Sequence, residues 1–340
     1  MRRSFVSIVA LGVLSLVGLV HCTAATARSG FADDKKSSTQ ETSPDDADDD
    51  DSGPAFDPST GGGTPDDSVC TQDIDVVLVL DVSSSMGFVL DKLNKEIPGI
   101  VDAANALKAG AHFGFIGYAD NGAFGLGGSD AGGRVHTKAS TLQKAFSTMK
   151  STYTAKNRNP GDGPTGPETQ NPICEENALD SLHLAATEFP WRPSAARVIV
   201  IVTDDTFLEG GDNYGDKDGD GDTTDTSYPR EGDYPAVHTL ADTIKAVKDA
   251  KARVFSVTRL KAGSGGLLGG SKCGTGRRHA GNEDSITYGW SKPYAGADPI
   301  PTQTDGKNFD LDGIRSGAVS LSDTINGVVL ETHCAGDPPK

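Results

Sequence analysis

The run Ile74-Asp75-Val76-Val77-Leu78-Val79-Leu80 is apolar at every position but one and has the length of a single strand. A near-continuous apolar run of this kind marks a strand buried on both faces. Val198-Ile199-Val200-Ile201-Val202 and Arg253-Val254-Phe255-Ser256-Val257 repeat the character, and His112–Tyr118 alternates enough to be another strand. Between them the apolar residues recur at helical spacing. Leu90, Leu93, Ile97, Val101, Ala104 and Leu107 outline one helix, which Pro98 should kink or interrupt. Ser140–Met149, Glu175–Phe189 and the series Val237, Leu240, Ile244, Val247 outline three more. Val135 is expected to begin a short edge strand, and a last helix is expected near Leu321–Leu330, capped by Ser322. Strands alternating with helices predict an α/β fold, a doubly wound and mainly parallel sheet with helices on both faces.

The first strand ends in Asp81-Val82-Ser83-Ser84-Ser85. In extended chain alternate side chains point to one side, so Asp81, Ser83 and Ser85 can address one point in space. Hard oxygens converging on a point suit Mg²⁺ or Mn²⁺. The carboxyl ends of strands are also where open parallel sheets bind ligands. A second acid follows another buried strand, in Val202-Thr203-Asp204. Asp81 and Asp204 together would bring acids from two strand ends to one crevice.

These two motifs, in this order on these elements, resemble the metal-ion-dependent adhesion site of the von Willebrand factor type A family, over about residues 71–335. The resemblance implies a divalent cation held by Asp81, Ser83, Ser85 and Asp204. It also implies one more ligand on the loop before the helix that starts near residue 175. That ligand is usually Thr and in some branches Glu. Glu176 matches the register of the Glu branch, where Glu opens the helix, and Thr165 and Glu168 are its rivals. In the family one metal position stays open for an Asp or Glu carboxylate of a protein partner.

A net charge of −17 argues against nucleic acid or an anionic membrane surface as partner. Much of the acid lies in two places. One is Asp45-Asp46-Ala47-Asp48-Asp49-Asp50-Asp51, within residues 28–69, a stretch too poor in apolar residues to fold. It reads as a linker with a root-mean-square reach of roughly 35 Å. The other is Asp216-Lys217-Asp218-Gly219-Asp220-Gly221-Asp222, whose acids at positions 1, 3 and 5 and Gly at 6 match the start of an EF-hand loop and so point to Ca²⁺. The twelfth position is Ser227, so Asp225 or Glu231 would have to supply the closing acid.

The basic start Met1-Arg2-Arg3 and the apolar run Phe5–Val20 read as an export signal. Two processing routes fit. Leu19-Val20-His21-Cys22 resembles a lipoprotein box that would leave signal 1–21 removed and Cys22 lipidated, although His21 stands where a small residue is usual. Ala25-Thr26-Ala27 suits ordinary signal peptidase, with signal 1–27 removed. The first route gives a surface or outer-membrane lipoprotein, the second a secreted one, and the membrane is a partner only if Cys22 is lipidated. Cys70, Cys174, Cys273 and Cys334 are then an even set that allows three pairings in an exported protein. The closeness of chain ends, with the resemblance, implies Cys70–Cys334 and Cys174–Cys273 around a domain spanning 70–336.

The expected function is metal-dependent binding and adhesion, with no catalysis. The alternative is a hydrolase using the same ion with a histidine base. His112, His136, His183, His238 and His279 are available, but none adjoins Asp81 or Asp204 in sequence. No nucleophile elbow or phosphate-binding glycine loop is present. Trp191 and Trp290 are expected to pack.

Overall fold

The computed structural model describes residues 72–124, 134–163, 176–210, 236–260 and 288–335. A six-stranded sheet in the order β3-β2-β1-β4-β5-β6 runs through it. Its strands are β1 (Asp73–Asp81), β2 (His112–Tyr118), β3 (Gly122–Phe124), β4 (Ala195–Val202), β5 (Arg253–Thr258) and β6 (Asn308–Asp310). All neighbours pair in parallel except β3, an antiparallel edge on β2.

Alternation along β1 builds two cores. Ile74, Val76, Leu78 and Leu80 pack on one side beneath α1 (Gly87–Leu107), α2 (Ala139–Met149), α6 (Leu311–Ser316) and α7 (Leu321–Cys334). Val77 and Val79 pack on the other beneath α3 (Ala178–Glu188), α4 (Leu240–Asp249) and α5 (Ile300–Gln303). Helices therefore cover both faces of a mainly parallel sheet, an α/β arrangement consistent with Rossmann-like and von Willebrand A-like folds. Among the described residues no helix is long and apolar enough to cross a membrane.

Several local expectations change. α1 runs unbroken through Pro98. A proline has no N–H to offer the carbonyl four residues back, and the carbonyl of Asn94 instead accepts from Gln143 Nε2 on α2 at 2.9 Å. Val135 does not begin a strand. Its neighbour His136 makes a single antiparallel bridge to Phe113, and the edge strand is β3. The cap of α7 is Ser320, whose hydroxyl accepts from Asp323 N at 3.2 Å, in place of Ser322.

Both tryptophans pack. Trp191 stands edge-on to Phe189 and donates to the carbonyl of Ala186. Trp290 is fully buried against Phe207, and its indole donates to the carbonyl of Asp205 at 3.1 Å, which ties the loop after β4 to the second core.

Candidate metal centre

After β3 the chain crosses to the far side of β1, so the sheet changes winding direction between β1 and β4. At such a switch point the loops leave in opposite directions and open a crevice at the carboxyl ends of the strands. Asp81 ends β1 there, and Asp204 lies two residues beyond the end of β4.

The loop after β1 is held from both sides. Val82 N donates to Tyr118 O at 2.7 Å, and Thr154 Oγ1 donates to Val82 O at 3.2 Å. Asp81 is buried. Its Oδ1 accepts from Ser83 N and its Oδ2 from Thr203 Oγ1, both at 2.8 Å. The hydroxyls of Ser83 and Ser85 stand 3.0 Å apart, and Ser85 Oγ donates to Asp204 Oδ1 at 2.9 Å. Asp81, Ser83, Ser85 and Asp204 are thus one connected group drawn from two strand ends. Asp205 joins them, since Asp81, Asp204 and Asp205 each offer a carboxylate oxygen within 4.8 Å of the others. Oxygens on opposite sides of one Mg²⁺ stand about 4.2 Å apart, and around Ca²⁺ about 4.8 Å.

Glu176 lines the same crevice but does not open α3. Its backbone pairs strand-like with the segment after β4, with Glu176 N donating to Thr206 O and Leu208 N to Glu176 O, and the helix starts at Ala178. The extended pairing places its carboxylate among Asp81, Asp120, Asp205 and Asp204, and its buried Oε2 has no hydrogen-bond partner.

Burial disfavours charge on these groups. It raises Asp81 from its ordinary 3.8 to about 7, with the Asp204 carboxylate adding to the rise and bonds from Ser83 and Thr203 opposing it. Burial, then the surrounding acids, holds Glu176 well above the usual carboxylate range. Asp204 is also raised by burial, against the bond from Ser85 and the guanidiniums of Arg259 and Arg315. Buried carboxylates crowded this closely need a counter-charge, and the donor set is all oxygen with two neutral hydroxyls. That chemistry fits a hard divalent cation.

Thr203, Asp205 and Asp120 are parts of the crevice that sequence reasoning did not assign. One signal was present. The adjacent strands β2, β1 and β4 each end at or within two residues of an Asp, namely Asp120, Asp81 and Asp204. Thr165, Glu168, the acidic loop with Asp216, Asp218, Asp220, Asp222 and Asp225, and Cys22, Cys70, Cys174 and Cys273 lie outside the described residues. Cys334 ends α7, but its side chain also lies outside the description.

No family model matches this chain, and no curated protein does. Similar solved structures include an aerotolerance-related membrane protein from Bacteroides fragilis, at 15% identity and TM-score 0.41, covering 76% of this chain and 99% of that one. A von Willebrand factor type A protein from Catenulispora acidiphila has 13% identity and TM-score 0.40, covering 77% and 43%. Proximal thread matrix protein 1 from the mussel byssus has 13% identity and TM-score 0.37, covering 77% and 46%. This chain spans less than half of the last two. Likenesses this remote carry no argument about the site. Fold and crevice together define the class, a Rossmann-like α/β domain with a candidate cation site at its switch point.

Proposed function

We propose that this protein is a metal-dependent binding protein of the adhesion type. Asp81, Ser83, Ser85 and Asp204 hold one Mg²⁺ or Mn²⁺, with Glu176 as the further ligand from the third segment. The carboxylate of a protein partner's Asp or Glu completes the ion. The observation that supports this most is the unbroken path from Asp81 through the two serines to Asp204, closed by the 2.9 Å bond from Ser85. Two neutral hydroxyls among the ligands leave the ion electrophilic enough to take an outside carboxylate. In this reading the protein is exported and either tethered through Cys22 or secreted, and the loop at 216–225 takes Ca²⁺.

Binding is preferred to hydrolysis because no described histidine bonds to a carboxylate of the crevice. His112 faces Asp75 at the opposite end of β1, and His136 pairs its backbone with Phe113. His183 and His238 stack on each other, with His238 bonded to Asp180, and His333 bonds to the carbonyl of Gln72. The test is retention of the protein on a sensor coated with an Asp-containing peptide. Retention in Mg²⁺ that is lost in EDTA and in Asp81→Ala supports the reading. Equal retention in all three rejects it.

A further inference from the structure

The crevice is electrostatically two-sided. On the β2 side stand Asp120 and Glu176. On the β5 side stand Arg259 and Arg315, and their places follow from strand register. Val202 of β4 pairs with Val257 of β5, so Asp204 and Arg259, each two residues further on, leave neighbouring strand ends together. Thr258 pairs with Asp310 of β6, and α6 follows at once and carries Arg315. Arg259 Nε donates to Asp312 Oδ2 at 3.1 Å, which fixes it to the first turn of α6. The Arg315 guanidinium lies 5.3 Å from the centre of the Phe88 ring. Phe88 is three residues beyond Ser85, so that stacking brings Arg315 back towards the loop of the two serines.

In a chain of net charge −17 this pairing matters for binding. An acidic partner is repelled at long range and by the acids of the β2 side, so it can approach the cation only where local positive charge receives it. A guanidinium is also a permanently charged planar fork that matches a carboxylate bidentately.

We infer that the crevice takes an acidic peptide segment with two neighbouring carboxylates, one completing the cation and the other held by Arg315 with Arg259 behind it. This deepens the proposed function and rests on its cation site. Partners with an isolated acid would bind more weakly, so the arginine side sets specificity.

The test uses the full chain in Mg²⁺ and two immobilised peptides that differ only in carrying one Asp or two adjacent Asp. The second Asp should strengthen binding roughly tenfold, the size of one charge-assisted hydrogen bond. Arg315→Gln should erase that gain, so that the variant holds the two peptides about equally. Arg315 is exposed, so the variant should fold, and its Tm checks this. Lys245→Gln, an exposed cation on α4, should leave the gain intact. No gain from the second Asp, a gain that survives Arg315→Gln, or an equal loss in Lys245→Gln overturns the inference. If the one-Asp peptide is held in Mg²⁺ and released by EDTA while the gain is absent, this inference alone fails. If neither peptide is held, the cation reading fails and this inference with it.

Discussion

Asp81→Asn should stabilise the metal-free protein at alkaline pH while removing its response to metal. The Asp81 carboxyl is raised from 3.8 to about 7 in the folded chain. A raised carboxyl favours the folded state while it is protonated, so its contribution is fully present below about pH 4 and is lost as pH rises through about 7. At pH 8 the rise of about 3 units, at about 1.4 kcal/mol each, corresponds to roughly 4 kcal/mol of folding free energy lost to ionising this one group. An Asn amide escapes that cost. Its oxygen can still accept from Ser83 N, and its NH₂ can donate to Thr203 Oγ1, whose proton can turn towards the carbonyl of Asp205. For a domain of this size the gain is a Tm rise of roughly 10 °C at pH 8, shrinking towards zero at pH 4. The assay is thermal unfolding in EDTA across that range, repeated in Mg²⁺. In Mg²⁺ the gap should narrow, because the wild type gains about 2.7 kcal/mol at a hundredfold excess over its Kd and about 4.1 kcal/mol at a thousandfold excess, enough to close it, while the variant gains nothing. A metal-free Asp81→Asn protein less stable than wild type at pH 8 would refute the reasoning, since Asp81 would then not be a strained charge waiting for a cation.

The same group makes Mg²⁺ affinity depend on pH. The ion needs Asp81 deprotonated, so affinity should rise at least tenfold per unit up to about pH 7, with the raised carboxyls of Asp204 and Glu176 adding to the rise, and with proton release on calorimetry in buffers of different ionisation heat. Arg192→Ala should cost about 3–5 kcal/mol in urea unfolding without weakening Mg²⁺ binding. It strands the fully buried Asp75, whose Oδ1 takes Arg192 Nε at 2.7 Å, at the end of β1 away from the crevice. Gly306→Ala should destabilise by more than about 2 kcal/mol and lower Tm, because a Cβ there would collide with the backbone carbonyl of Val254 inside β5.

The layered architecture was legible because buried parallel strands write themselves as apolar runs, as in Val198–Val202, and because helix faces repeat with their own period. What stayed hidden depended on contacts between segments distant in sequence. Pro98 should disturb a helix by local rules, and only Gln143, 45 residues further on, satisfies the carbonyl it leaves open. β3 is three residues long and lies in glycine-rich sequence, so it carries no periodicity, and pairing with β2 alone makes it a strand. In the crevice, Asp81, Ser83 and Ser85 could be read from the two-residue repeat of extended chain. Glu176 could be picked out only by resemblance, and its extended conformation comes from pairing with Thr206 and Leu208. The arginine side depends on the registers of β4, β5 and β6, which no local pattern specifies.

The central question is whether these oxygens hold one cation. Mn²⁺ titration followed by electron paramagnetic resonance, on wild type and Asp204→Ala at pH 8, tests that most directly. The prediction is a tightly bound Mn²⁺ in the wild type that is missing from the variant while its fold, checked by circular dichroism, is retained. Equal Mn²⁺ uptake by the two folded proteins would contradict it.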